Sequence, residues 1–312
     1  MNMAVVDAMD AAGAEWPAAH ASADAMARLA RSASQVTGIE NLGLPFCMTV
    51  EAEGLGAEVY LGTRDTEPRV SSYLLDHLAE IDRIAAFDPG AGRAAVVAAA
   101  VRALAGQPGE LPIIVCLTGP VSLATSLIEP LTFYRALRRD PAGAHRLLEI
   151  CTAALLVFGD ALAAAGADVV CIADPSATGE LLGARAFAEF AAPYVDDITR
   201  HFAARGLPTI VHVCGDATVL AATLDKLAAP VVSVDSGVRL RSLRELAPSK
   251  VAMGNLSTYL LQYGRPATIA AAAQASARRG AGIVAPACGI GARTPAANLR
   301  AAADALRRRP RD

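Results

Sequence analysis

Short apolar runs alternate with longer amphipathic stretches along most of this chain. These runs lie at 112–118, 168–173, 209–214, 231–234, 251–253 and 282–285. Between most of them, apolar residues recur at the three-to-four-residue spacing that is typical of helices. Buried strands that alternate with helices indicate parallel βαβ units. The pattern therefore predicts an α/β protein.

The first hundred residues follow a less regular pattern. Two helical stretches are predicted before residue 40, followed by a strand within 41–49. Residues 67–104 carry a mostly helical pattern that is interrupted at 88–90. We count seven strands, with helix where an eight-stranded barrel has its first strand. The sequence thus predicts a TIM-type (β/α)8 barrel, lacking or truncated at its first strand, formed by residues 1–312 as a single domain.

Composition and charge narrow the possible functions. The chain is 54% hydrophobic and has a net charge of -3 without a basic stripe, so nucleic acid is not an expected partner. Its six scattered cysteines point to a reducing compartment rather than to a disulfide framework. The acidic N-terminal segment does not resemble a signal peptide, and no apolar run free of turn residues is long enough for a bilayer. We therefore expect a cytoplasmic protein that does not enter a membrane.

Three potential metal ligands stand at the ends of predicted strands. His212 and Cys214 are two residues apart, so their side chains share one face of the strand. Cys288 follows the last apolar run, where a glycine comes next. One imidazole and two thiolates with an open fourth position are the pattern of a catalytic zinc site. Each residue alone is better explained as an ordinary core residue, but the set of three favours zinc.

The ligand types indicate what the metal would do. A zinc ion held by two thiolates and one imidazole carries little net positive charge. A coordinated thiol is deprotonated at neutral pH, whereas a free thiol titrates near ~8.5. We therefore expect the site to present a substrate thiolate. Hydrolysis by zinc hydroxide is the competing interpretation, although such sites usually draw on histidines and carboxylates.

Five further residues are predicted to serve this site. Asp174 ends a predicted strand, and we expect it to face the site because a buried carboxylate needs a partner. Either Glu51 or Glu53 is expected to complete the zinc shell or to hydrogen-bond one of its ligands, the alternative being a solvated loop pair. Asn255 is a candidate hydrogen-bond donor into the barrel mouth, and Arg293 a candidate partner for an anionic substrate tail. Ordinary turn and surface roles are their alternatives.

Several runs match the pattern of a known family. The most specific are PFCMTVEAE at 45–53 and DPSATG at 174–179, joined by HVCGD at 212–216, GNLS at 254–257 and PACG at 286–289. On these runs the chain resembles the methylcobamide:coenzyme M methyltransferase branch of the uroporphyrinogen decarboxylase-like superfamily. The resemblance spans essentially the whole sequence.

The resemblance implies a fold, a metal and a reaction. It implies a TIM barrel with a catalytic Zn2+ on His212, Cys214 and Cys288, the positions of the family's His-x-Cys and distal Cys. It also implies that a zinc-bound thiolate, such as that of coenzyme M, takes the methyl group of a methylated corrinoid carried on a partner protein. The alternatives are a decarboxylase or lyase of the same superfamily, and a non-catalytic truncated barrel that binds a corrinoid protein.

Overall fold

The fold was analysed in a computed structural model that describes residues 4–106 and 111–307. Its strands, in chain order, are β1 (Leu42–Leu44), β2 (Glu58–Tyr60), β3 (Arg69–Ser72), β4 (Ile113–Thr118), β5 (Val169–Ala173), β6 (Thr209–Val213), β7 (Val231–Val234) and β8 (Val251–Met253). Six of them form one sheet in the order β1-β4-β5-β6-β7-β8, and every neighbouring pair is parallel. The predicted α/β class is confirmed.

Helices connect these strands and cover the outer face of the sheet. In chain order they are α1 (Val6–Ala12), α2 (Ala23–Thr37), α3 (Val50–Gly54), α4 (Gly92–Leu104), α5 (Pro120–Leu127), α6 (Pro130–Arg139), α7 (Pro141–Ala164), α8 (Gly183–Phe190), α9 (Ala192–Ala203), α10 (Ala221–Leu224), α11 (Leu240–Leu246), α12 (Thr258–Tyr263), α13 (Pro266–Arg278) and α14 (Ala296–Arg307). Short 3-10 turns lie at Ala18–His20, Leu78–Arg83 and Ala217–Leu220. Each strand from β4 to β7 is followed by helix before the next one, as parallel connections require.

The strands are apolar on both faces, which is why they read as continuous apolar runs. Outward-facing residues of the central strands, such as Val115, Val170 and Val211, belong to the large core shared with the helices. A second cluster, on the concave face, contains Cys116, Cys171, Ala173 and Ile210. The barrel interior is therefore lined mostly by apolar side chains and thiols.

The barrel is open on one side. Within the described residues, β1 pairs only with β4, and the predicted strand at 282–285 is reduced to isolated parallel bridges from Ile283 to Met253 and from Pro286 to Leu256. A cavity of about 740 Å³ lies along the interior between β1 and this segment. The prediction of a TIM-type barrel lacking its first strand is confirmed in this sense: hydrogen bonds do not close the sheet.

The segment after β1 differs from the prediction. The sequence predicts mostly helix from residue 67, but Arg69–Ser72 pairs with Glu58–Tyr60 in an antiparallel hairpin. Most side chains of this hairpin are exposed, so no apolar alternation marks its strands. Arg69 lies over the ring of Tyr60, 5.2 Å from its centroid. The helical prediction holds only from Gly92 to Leu104.

One helix in the described ranges, α7, is long and apolar enough to cross a membrane by length and composition alone. The sequence analysis expected no such run. Half of its most apolar window is buried inside the protein, where Leu148, Leu155 and Phe158 are fully covered. The helix packs against α5, α9 and β4. This is the environment of a core helix in an α/β barrel.

Candidate metal centre

His212, Cys214 and Cys288 come together at the C-terminal end of the barrel. Nε2 of His212 lies 3.1 Å from Sγ of Cys214, and that sulfur lies 3.6 Å from Sγ of Cys288. All three ligand atoms lie within 4.8 Å of one another. In the part of the chain that the structure describes, no other group of three or more His, Cys, Asp or Glu side chains gathers in this way.

The local backbone brings these side chains to one point. His212 is the fourth residue of β6, and strand alternation places Cys214 on the same side. Gly215 then turns the chain with a φ of +67°, a conformation that favours glycine. The carboxylate of Glu180 holds the turn by accepting the N–H of Asp216 at 2.7 Å. His212 and Cys214 are thus positioned by a strand end and by a tight turn that Glu180 stabilises.

A serine that the sequence analysis missed orients the imidazole. Ser233 is the register partner of His212 on β7, and its Oγ lies 3.0 Å from Nδ1 of His212. Both residues are fully buried. A partner on one ring nitrogen fixes the orientation of a metal-binding histidine and leaves the other nitrogen for the metal. The only signal in the sequence was a lone hydroxyl inside an apolar strand.

The two thiols lie within hydrogen-bonding distance of each other. The hydrogen bond from Cys214, assisted by His212, lowers the pKa of the Cys288 thiol to about 4, whereas the same contact raises the pKa of Cys214. Both cysteines are half-buried rather than enclosed. Thiolates are the form in which cysteines bind a soft cation, so a metal ion here would replace the thiol protons.

The donor set fits zinc in kind and in size. Zn–S bonds of about 2.3 Å at a tetrahedral angle place two sulfurs about 3.8 Å apart. The sulfurs of Cys214 and Cys288 lie 3.6 Å apart, close to that separation. Two sulfurs and one imidazole nitrogen leave the fourth tetrahedral position to a ligand from outside this group. The residues present therefore fit a zinc ion with one exchangeable position.

Asp174 lies beside this group but belongs to a different set of contacts. Its backbone N–H donates to the carbonyl of His212, at 3.0 Å. Its carboxylate accepts the N–H groups of Val121 and Ser122 at 3.1 and 2.8 Å, and the Ser122 hydroxyl at 2.6 Å. Burial raises the pKa of Asp174 to about 6, against these hydrogen bonds. The carboxylate thus caps the first turn of α5.

Glu51 and Glu53 point to different partners. Glu51 is fully buried in α3 and accepts the N–H and the hydroxyl of Thr118 at 2.8 and 3.0 Å. Burial raises the pKa of this carboxyl group. Glu53 forms an ion pair with Arg93 at 2.6 Å, and this largely buried guanidinium also donates to Thr49. Neither carboxylate belongs to the ligand group.

The two remaining candidates hold loops at this end of the barrel. The side-chain amide of Asn255 donates to the carbonyl groups of Asp235 and Val238, at 2.9 and 2.8 Å. Arg293 forms an ion pair with Asp65 and has a side chain that is 75% exposed. The structure therefore brings together the three predicted metal ligands, whereas the five other candidates stand in protein contacts around them. Their predicted roles in the reaction stay predictions.

Open space adjoins the metal group on one side. The interior cavity of about 740 Å³ reaches Cys288 and continues past Cys116, Cys171, Ile210 and Met253. Its lining there is apolar apart from the thiols. A small organic thiol could approach the metal group from this side.

An α/β barrel that gathers one imidazole and two thiols at its strand ends defines a class of barrel with a candidate catalytic metal centre. A family model described as uroporphyrinogen decarboxylase (URO-D) matches residues 1–309. The chain therefore belongs to the uroporphyrinogen decarboxylase family, as the sequence resemblance predicts.

Individual relatives place it more narrowly. It is 31% identical over 299 residues to the methylcobamide:CoM methyltransferase MtbA of Methanosarcina acetivorans, covering 95% of this chain and 88% of that protein. The MtbA of Methanosarcina mazei is 32% identical, with 95% and 87% covered. A solved structure of a methyltransferase from Methanosarcina mazei matches with a TM-score of 0.91 at 28% identity, covering 97% of this chain and 90% of that one. The predicted branch, and the prediction of an enzyme, are confirmed.

Proposed function

We propose that this protein transfers a methyl group from a methylated corrinoid to a small thiol, with coenzyme M as the first candidate. Zn2+ would be held by His212, Cys214 and Cys288. The observation that carries the proposal is the convergence of these three donors at the C-terminal end of the barrel, next to open space. The names of the relatives point to the same pair of substrates.

The chemistry balances without an added oxidant or reductant. The thiolate sulfur forms a bond to the methyl carbon while the cobalt–carbon bond breaks. The electron pair of that bond stays on cobalt, which passes from Co(III) to Co(I), and the proton of the thiol goes to solvent. The protein must therefore keep a thiol deprotonated at neutral pH and hold its sulfur facing the methyl group.

The residues of this chain suit that task. Zinc, when bound, lowers the pKa of a coordinated thiol so that the sulfur is a thiolate at neutral pH. Ser233 holds the imidazole of His212 in one orientation, which positions the nitrogen ligand. The sulfurs of Cys214 and Cys288 lie 3.6 Å apart, so both can bind the same metal ion as thiolates. Two thiolates also leave little net charge on the metal, which suits a thiolate nucleophile better than water activation.

A corrinoid is a large methyl donor, so the side from which it can reach the metal group is restricted. A corrinoid carried on a protein must approach the C-terminal end of the barrel, because the metal ligands lie there. We propose a corrinoid protein as the partner. We propose the cytoplasm as the location, in line with six free cysteines that suit a reducing compartment. We propose for Asp174, Glu51 and Glu53 the role of holding the backbone around the metal group.

The test is methyl transfer from free methylcobalamin by the zinc-loaded protein. We expect loss of the methyl-cobalt absorbance, formation of Co(I) and one methylated thiol per cobalt reduced, with coenzyme M compared against cysteine, homocysteine and mercaptoethanol. Demethylation without any added thiol would contradict the proposal. Full zinc occupancy with no transfer to any of these thiols would favour the non-catalytic corrinoid-binding barrel.

A further inference from the structure

A basic pocket lies at the opposite end of the barrel from the metal centre. The helices α11 and α13 both end there, and β8 begins there. The pocket has a volume of about 480 Å³. It is lined by Arg241, Arg244, Glu245, Pro248, Lys250, Arg278 and Arg279. Because the strands are parallel, this face is separated from the metal ligands by the length of the barrel.

The charge of this pocket is unusual for the chain. Five cationic side chains and one carboxylate give it a net charge of +4, whereas the whole chain has a net charge of -3. Lys250 is the one cation there with a protein partner, because its ammonium group donates to the carbonyl of Leu227 at 2.5 Å. So concentrated a positive field attracts small anions.

The four arginines of the pocket are available for a ligand. Among the contacts of the described residues, no hydrogen bond or ion pair engages the guanidinium groups of Arg241, Arg244, Arg278 or Arg279. Glu245 is the only carboxylate in the lining.

A glycine makes room for one of these arginines. Gly280 has a φ of +102°, and a Cβ added there would come within 2.7 Å of Cδ and Nη1 of Arg244. Arg244 therefore lies across the turn that follows α13. The negative ends of the helices explain part of the basic composition, but each is worth only about half a charge. Two helix ends thus offset about one of the four excess positive charges.

We propose that this pocket binds a compact anion that carries two phosphate groups, such as a diphosphate or its ester. A guanidinium group binds a phosphate through two parallel hydrogen bonds, so four of them suit two adjacent phosphates better than one. A diphosphate also carries about three negative charges near neutral pH, which offset most of the +4 charge of the pocket. The volume lies within the range of small-molecule sites and leaves room for an ester group.

The test is calorimetric titration of the full chain with inorganic pyrophosphate at low salt. We expect one saturable site per chain and at least a tenfold weaker affinity in the double variant R244Q/R278Q. The matched control is R138Q/R139Q. It changes two consecutive, exposed arginines in the last turn of α6, neither of which lines the pocket. We expect the control to bind pyrophosphate like the wild type.

Three results would overturn the proposal: no saturable binding, equal binding by the R244Q/R278Q protein, or equal losses in both double variants. Equal binding by R244Q/R278Q would mean that pyrophosphate reaches another site, such as the zinc. Inorganic monophosphate and citrate are titrated in the same way for comparison with pyrophosphate. We expect each to bind at least tenfold more weakly, and an equal affinity for citrate would contradict a site for phosphates.

Discussion

Two sets of polar side chains at the same end of the barrel differ in what already binds them. The donor atoms of His212, Cys214 and Cys288 face one another within 4.8 Å, at separations that suit a single cation. The carboxylates of Asp174 and Glu51 are buried like His212, but they already accept hydrogen bonds from backbone N–H and hydroxyl groups. A buried acid at a strand end is therefore not sufficient evidence for catalysis. A buried carboxylate is a candidate for catalysis only if its oxygens do not already accept hydrogen bonds from the protein.

The largest effect should follow from removing one metal ligand. We expect C214S to lower zinc affinity by more than about 100-fold, since changes behind the ligands alone cost about 10–100-fold. Methyl transfer should fall to background with it. The control is C151A, a fully buried cysteine of α7 outside the group. Metal analysis after dialysis checks this, and equal zinc content in wild type and C214S would contradict the ligand assignment.

His20 contrasts with His212, because within the described residues its buried imidazole lacks the kind of hydrogen bond that Ser233 makes to His212. His20 is buried against Trp16 and Phe46, and neither ring nitrogen has a hydrogen-bond partner among residues 4–106 and 111–307. Burial, aided by Arg93, lowers its pKa to about 3 from 6.5. Below pH 6.5, His20 therefore becomes protonated in the unfolded chain but stays neutral in the folded protein. His20 should cost stability as pH falls through this range.

We expect this cost to grow by about 2 kcal/mol between pH 6.5 and 4.5. In H20F the loss should disappear, and stability at pH 7 should change little because no hydrogen bond is lost. Urea unfolding across pH measures the difference between the two proteins. H77Q removes an exposed histidine and serves as the control. An equal loss in wild type and H20F would show that His20 becomes charged in the folded state.

The variant D174N tests the carboxylate set directly. An amide at this position keeps one acceptor oxygen but places its NH2 group against the N–H of either Val121 or Ser122. We expect a loss of about 2–3 kcal/mol in the free energy of unfolding, with zinc content unchanged. D140N, at the exposed N-cap of α7, should cost less than about 0.5 kcal/mol because Asn caps as well as Asp. Zinc loss in D174N would place Asp174 among the groups that hold the metal.

The smallest effect is expected at Ser233. In S233A the imidazole of His212 loses the partner of Nδ1, so we expect zinc affinity to fall about tenfold. Competition with a chelator measures the change. V232A, a buried neighbour in β7, controls for packing. Unchanged zinc affinity in S233A would mean that the strand alone orients the ring.

The sequence predicted the buried strands and the metal-binding residues at their ends. The apolar runs of β4 to β8 identified the parallel sheet, and the spacing of His212 and Cys214 at a strand end indicated the metal group. The β2–β3 hairpin escaped because its exposed strands carry no apolar pattern. Ser233 escaped because its role depends on register with another strand. The contacts of Asp174 and Glu51 could not be foreseen because their partners are largely backbone groups, which no residue type reveals.

The central claim is that three protein ligands hold zinc and leave one position for the substrate thiol. Zinc X-ray absorption of the loaded protein, with and without coenzyme M, tests it most directly. We predict two sulfur ligands and at least one imidazole nitrogen without the thiol, and three sulfur ligands when it is saturating. A sulfur count that stays at two under saturating thiol would contradict the account.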